Sequence, residues 1–183
     1  MSNKTVSESE VTITELMVPH YANFSGKVHG GTLLSMMDKV AYVCATKYSH
    51  CYCVTVAVER VEFMAPVEVG DLVSMSASVN YVGRSSMIIG IRVDSFKPKT
   101  GESKHTNSCI FTMVAKDENG KTATVPTLII ENERQARRFV KGKYIKGKSK
   151  EEHQFLDVEI DNVPMEEVLE TCRNGNCVLQ LKD

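Results

Sequence analysis

Asn23-Phe24-Ser25-Gly26-Lys27-Val28-His29-Gly30-Gly31 leads directly into Thr32-Leu33-Leu34-Ser35-Met36-Met37-Asp38-Lys39-Val40-Ala41-Tyr42-Val43-Cys44-Ala45. The first part is polar and carries glycines, which predicts a loop. The second has apolar residues at 33, 34, 36, 37, 40, 41, 43, 44 and 45, and this spacing wraps most of a helix rather than marking one stripe. A helix of that kind belongs inside a fold. Asp38 contradicts its surroundings, because an acid seldom sits in a buried helix unless it is paired, coordinated or used in chemistry.

Gly30 and Gly31 fall where loop becomes helix. The backbone N–H groups there are first-turn donors without helical partners, and the positive end of the helix dipole lies behind them. Such an end suits developing negative charge, as on a carbonyl oxygen becoming an oxyanion. A bare Gly-Gly before a helix can also be no more than a tight turn. Asp38, two turns on, favours the chemical reading.

Upstream, residues 9–18 alternate apolar and polar and predict a first strand that ends at Pro19. The helix is expected to run to about Tyr48, with Lys47 suited to its last turn. Downstream, the Val-rich run from Cys51 to Met64 predicts a long strand. Leu72 to Tyr81, Ser86 to Phe96 and Lys104 to Lys116 predict three more, and Thr122 to Val125 a short last one. Turns are signalled at Gly70-Asp71, Gly83-Arg84, Lys97 to Gly101 and Asp117 to Gly120. One early helix followed by antiparallel strands is an α+β arrangement, and a sheet curled around that helix would explain its apolar character. After Pro126 the composition changes. A basic helix is expected from Glu133 to about Lys143, with Arg134, Arg137, Arg138, Lys141 and Lys143, followed by Lys146, Lys148 and Lys150. Pro164 to Glu170 predicts an acidic helix. This gives a main domain over 1–130 and a C-terminal basic helix and tail over 131–183.

The 183 residues are 42% hydrophobic with a formal net charge of -1. That balance fits one domain with a real core and offers no general attraction to nucleic acid or an anionic membrane. No apolar run approaches the roughly eighteen residues that span a bilayer, and Met1-Ser2-Asn3-Lys4 leads into Ser and Glu without a signal-peptide core, so a cytoplasmic location is expected. The six cysteines, at 44, 51, 53, 109, 172 and 177, form no C-x-x-C pair. Neither a zinc site nor another metal site is expected.

The stretch from Pro19 to Asp38 resembles the acyl-CoA thioesterases of the hotdog fold, whose signature is P-x-x-x-N-x-x-G-x-V-H-G-G-x-L-L-x-x-M-D. Pro19, Asn23, Gly26, Val28, His29, Gly30, Gly31, Leu33, Leu34, Met37 and Asp38 carry the match. Thr55 to Glu59, Phe63 to Val67, Val69-Gly70-Asp71 and Val82 to Ser86 are similar to later segments of the family. Several linked motifs in order are more specific than any one alone. The resemblance implies a curved antiparallel sheet wrapped around one long central helix, and hydrolysis of acyl-CoA without a cofactor. It implies Asp38 as general base or nucleophile, Asn23 as the partner orienting water or the thioester carbonyl, and the Gly31 N–H as oxyanion donor. Val82, Gly83, Arg84 and Ser85 would help hold CoA, together with His29, Gly30, Thr32 and Ser35 at the helix entry. A dimer or trimer of dimers, giving a hexamer, is the implied assembly.

Other readings stand beside these. Asn23 can cap its own turn. His29 can support the turn rather than touch CoA, and Arg84 can be an ordinary exposed hairpin residue or a phosphate ligand. The basic run 134–150 can be a solvated face, or it can attract the 3′-phosphate of CoA or a regulatory nucleotide. The competing functions are a hotdog dehydratase, whose His-Phe-Pro-Gly or Asp-x-Asn-Pro-x-His entry is absent, and a non-catalytic acyl-CoA-binding regulator, which would need neither Asn23 nor Asp38.

Overall fold

The computed structural model describes residues 3–154 and 162–174. In chain order these form β1 Asn3–Thr5, α1 Val6–Ser9, β2 Val11–Leu16, α2 Gly30–Ser49, β3 Tyr52–Phe63, β4 Leu72–Val82, β5 Ser86–Lys97, β6 Glu102–Lys116, β7 Thr127–Ile129, α3 Glu133–Gln154 and α4 Met165–Asn174. Five of the strands make one antiparallel sheet in the order β2-β4-β5-β6-β3.

Period-two patterning decides which face of the sheet is buried. On β5, Met87, Ile89, Ile91 and Val93 point to one side and are all buried, whereas Arg92 points to the other and is exposed. Helix α2 lies on the buried side and touches all five strands. Its Met37, Val40, Ala41, Cys44, Ala45 and Tyr48 are at most 1% exposed and pack with Val73, Val79, Met87, Ile89, Phe111 and Met113. Burying each large side chain of this set contributes about 1.5–3 kcal/mol. The Tyr48 hydroxyl keeps a partner in the Pro126 carbonyl at 3.1 Å. Burial pushes its pKa up to about 12.

The helix is not apolar all round in its setting. Ser35, Lys39, Tyr42 and Val43 are exposed and Asp38 is half-buried, so a stripe of α2 stays uncovered by its own sheet. This corrects the expectation of an enclosed helix: Tyr42 and Val43 are apolar by composition yet lie on the open side.

Two more elements differ from expectation. Thr122 makes only an isolated bridge to Lys116, and the short strand lies instead at Thr127–Ile129, paired in parallel with β1. Helix α3 runs to Gln154, well past Lys143. On the outer face of the sheet, its Phe139 ring stands 5.0 Å from that of Tyr81, and a Cβ placed on Gly142 would lie 2.7 Å from the Tyr81 Cβ. Glycine is what lets this helix sit so close.

By contacts the chain divides into Met1–Tyr144 and Ile145–Asp183. Within the second, α4 keeps Val168, Leu169 and Cys172 half-buried on one face, and it extends beyond the expected Glu170.

Candidate active site

The loop before α2 is shaped by Asn23. Its side-chain Oδ1 accepts hydrogen bonds from Ser25 N at 2.9 Å, Ser25 Oγ at 2.8 Å and Lys27 N at 3.1 Å, an Asx-type turn. Gly26 takes φ +75° inside that turn, and Lys27 ties the loop down through an ion pair with Glu68 at 2.7 Å. The capping role of Asn23 is thus realised by its oxygen.

His29 is the residue before the first turn of α2. Its backbone N–H donates to the Tyr21 carbonyl at 2.9 Å, but its side chain makes no capping bond. The first-turn N–H groups of Gly30, Gly31 and Thr32 therefore have no side-chain acceptor at the cap position, and the dipole adds positive potential there. Space differs between the two glycines. A Cβ on Gly30 would meet the Phe63 ring at 3.3 Å, while one on Gly31 would meet nothing within 4 Å. The approach to the helix end is open at Gly31.

Asp38 is held from β3. Thr55 Oγ1 donates to Asp38 Oδ1 at 2.6 Å and also lies 3.3 Å from Met113 Sδ; its single proton belongs with the closer, charged acceptor. One carboxylate oxygen is thereby fixed from the sheet. Thr55 is absent from the site residues expected from sequence. Its signal was parity: Thr55, though exposed, shares the phase of Cys53, which points to the side of the sheet that carries α2.

Strand register shows which expected residues come together within one chain. Thr55 pairs with Met113 and Met113 with Met87, and Met87 pairs with Val82 at the base of the β4–β5 hairpin. Asp38, Thr55 and the hairpin of Val82, Gly83, Arg84 and Ser85 thus occupy one end of the sheet. The hairpin backbone is fixed there, because Gly83 N donates to Ser86 O at 2.8 Å, Ala115 N to Ser85 O at 2.9 Å and Val125 N to Arg84 O at 3.0 Å. Asn23, His29, Gly30, Gly31 and Thr32 gather at the other end, beside Phe63, with the exposed Ser35 one turn further along α2. Gly31 and Asp38 are seven residues apart on α2, roughly 10 Å along its axis at 1.5 Å per residue. A single chain does not aim both at one carbonyl.

Burial pushes the Cys44 thiol up to about 12 and the Cys109 thiol to about 11, and the described cysteines are free thiols. Cys177 lies outside the described residues. Among those residues no group of three or more His, Cys, Asp or Glu side chains is placed to hold a metal ion, and no helix is long and apolar enough to cross a membrane.

The thioesterase superfamily description matches residues 25–102. Protein VdlD of Helicobacter pylori is 46% identical over 135 residues, covering 74% of this chain and 77% of the relative. An uncharacterized acyl-CoA thioester hydrolase of Haemophilus influenzae is 35% identical over 123 residues, covering 66% of this chain and 80% of the relative. Among solved structures, an apo-hexameric acyl-CoA thioesterase is 31% identical with a TM-score of 0.80, covering 83% of this chain and 97% of that one. The fold is the hotdog fold. Within the thioesterase superfamily, the chain belongs to the acyl-CoA thioester hydrolases.

Proposed function

We propose that this protein hydrolyses acyl-CoA thioesters to a carboxylic acid and free CoA. The observation that carries the reading is the Asp38 carboxylate, anchored by Thr55 through one oxygen and half-exposed on the open stripe of α2. A binder has no need of a positioned carboxylate with a free oxygen. Asp38 either takes a proton from water as it attacks the thioester carbon, or attacks that carbon itself to give a mixed anhydride that water then opens. In both routes the carbonyl oxygen gains charge, which the Gly31 N–H receives, and CoA leaves as the thiolate. Asn23 Nδ2 orients the carbonyl or the water. His29, Thr32 and Ser35 line the entry, while Val82 to Ser85 hold CoA, with Arg84 as a phosphate ligand.

In this reading two chains build each site. The open stripe of α2 continues onto the edge strand β3, where Tyr52, Val56 and Phe63 are 62%, 61% and 53% exposed and Tyr42 meets Tyr52 edge-on. A second copy related by a two-fold axis would cover this surface and bring its Asp38 toward the Gly31 end of the first. Support for self-association comes from the hexameric relative, and we assign the chain a dimer or a trimer of dimers in the cytoplasm. A nucleotide regulator, or the 3′-phosphate of CoA, would be drawn to the groove of about 490 Å³ lined by Glu133, Arg134, Arg137, Arg138 and Lys141. There burial, with Arg134 adding to it, disfavours the charge on Arg138, and an anion would relieve that cost.

The test is thiol release from short, medium, long and aryl acyl-CoAs, compared between the wild-type chain and Asp38→Asn. Release from at least one class that collapses in the variant is expected. Tight acyl-CoA binding with no release from any class would favour the non-catalytic regulator.

A further inference from the structure

On the sheet face opposite α2, three side chains outside the proposed thioesterase site form a hydrogen-bonded series. Asp94 Oδ1 lies 3.2 Å from His105 Nδ1, and His105 Nε2 lies 3.0 Å from Ser108 Oγ. Asp94 is fixed in turn by Arg92, whose Nε and one terminal nitrogen each donate to it at 2.8 Å. A bulge makes this possible. Residues three apart on a regular strand face opposite sides, so His105 and Ser108 ought to be separated by the sheet. Instead β6 slips against β5, with Val93 opposite Asn107 but Asp94 opposite His105. The extra residue, Thr106, turns His105 onto the face of Ser108. Bulges that re-aim a side chain in this way are frequent beside active sites.

The hydrogen bonds also set the tautomer. Around Nδ1 stand only acceptors, Asp94 Oδ1 and the Val93 carbonyl at 3.0 Å, so the neutral ring carries its proton there. Nε2 is then the acceptor, facing the Ser108 hydroxyl, which is the polarity a serine nucleophile requires. His105 is 25% exposed at its side chain, and Ser108 is partly open to solvent. The neighbouring strands bring no competing base. Opposite Ser108 on β3, Glu62 is engaged by Arg60, and β4 presents Ser74 and Ser76, each bonded to a threonine of β2.

We infer that Ser108 is an activated serine that accepts the acyl group of small, activated esters. The class follows from the setting: an open sheet face selects for a good leaving group rather than for chain length. As Oγ bonds to the acyl carbon, its proton passes to His105 Nε2. The departing aryloxide takes that proton as its bond to carbon breaks, leaving an acyl-serine ester and a phenol. Arg92 has three N–H donors beyond the two on Asp94 and supplies the nearby cation. Water then cleaves the ester with His105 as base. Nothing in this depends on the acyl-CoA reading.

The experiment uses the full chain carrying Asp38→Asn, which silences the other site, with p-nitrophenyl acetate as probe. Peptide mass spectrometry should find acetate on Ser108, and Ser108→Ala should remove it. Acetylation should slow by at least about a hundredfold in His105→Gln and in Asp94→Asn. In the chain that keeps Asp38, Ser108→Ala should leave acyl-CoA turnover unchanged. As a measure that needs no variant, Ser108 should acetylate at least about a hundredfold faster in the folded chain than in urea. Unmodified Ser108, equal rates folded and unfolded, or undiminished labelling in His105→Gln would each overturn the inference.

Discussion

Thr55 Oγ1 stands 2.6 Å from Asp38 Oδ1 and donates to it from the sheet. The bond ties the orientation of a helical carboxylate to strand β3. Asp38→Asn should lower kcat for acyl-CoA by at least about a hundredfold with little change in CoA binding, because an amide cannot take the proton. Thr55→Val, which keeps the shape and removes the donor, should lower kcat roughly tenfold with KM nearly constant. Steady-state thiol release separates the two effects. A Thr55→Val variant altered only in KM would show that the hydroxyl serves binding.

The separation of Gly31 from Asp38 makes subunit mixing informative. Neither Asn23→Ala nor Asp38→Ala should be appreciably active alone. Refolded together in equal amounts, half the dimers should be mixed, and each mixed dimer should hold one intact site. Activity should return to roughly a quarter of wild type by that symmetry count. Mixed dimers seen by native mass spectrometry without recovered activity would put both residues in one chain's site.

Two glycines of α3 should respond oppositely to the same change. Gly147 has open space where a Cβ would go, so Gly147→Ala should stabilise by about 0.5–1 kcal/mol through helix propensity. At Gly142 the Cβ would meet that of Tyr81 at 2.7 Å, a contact no side-chain rotation relieves. Gly142→Ala should therefore lower Tm despite the same propensity gain. Thermal melts of the two variants check the contrast.

The clasp on the Asn23 loop carries an acid-range signature. Its hydrogen bond from Lys27, with help from the charges of Lys27 and Lys97, holds the Glu68 carboxyl below its ordinary value of 4.5. A carboxyl whose folded value is depressed stabilises above its unfolded value, and the contribution is lost as pH falls through the folded one. Lys27→Met should thus flatten the decline of Tm below pH 4.5 at low salt, and added salt should shrink the difference. Parallel Tm curves for the two proteins would show that the pair is fully screened.

Where a pattern is local, the sequence was enough to read it. The Val-rich run that became β3 and the apolar residues of β5 announced strands through their own neighbours, and the helix ended within a residue or so of Tyr48. What depended on distant partners was hidden. Strand β7 exists because it meets β1 across more than a hundred residues, and three-residue strands carry no periodicity to read. At the site, Asn23, Gly31 and Asp38 were visible as polar or flexible residues in an apolar context. Thr55 was not, because a threonine in a β-branched run is unremarkable until pairing places it under Asp38. The capping bonds of Asn23 and the bulge at Thr106 are likewise matters of register and turn geometry, which composition does not encode.

Strand β3 lies at the sheet margin with Val54, Thr55, Val56, Ala57 and Val58 in succession, and no charge interrupts those five residues. An orphan subunit would therefore expose the type of segment that templates cross-β growth. In the proposed assembly, covering this strand would then act as a solubility safeguard as well. Under overproduction, the species that precipitates would be the unassembled chain with its native tertiary structure intact, and the yield of soluble protein would depend on how quickly newly made copies find one another.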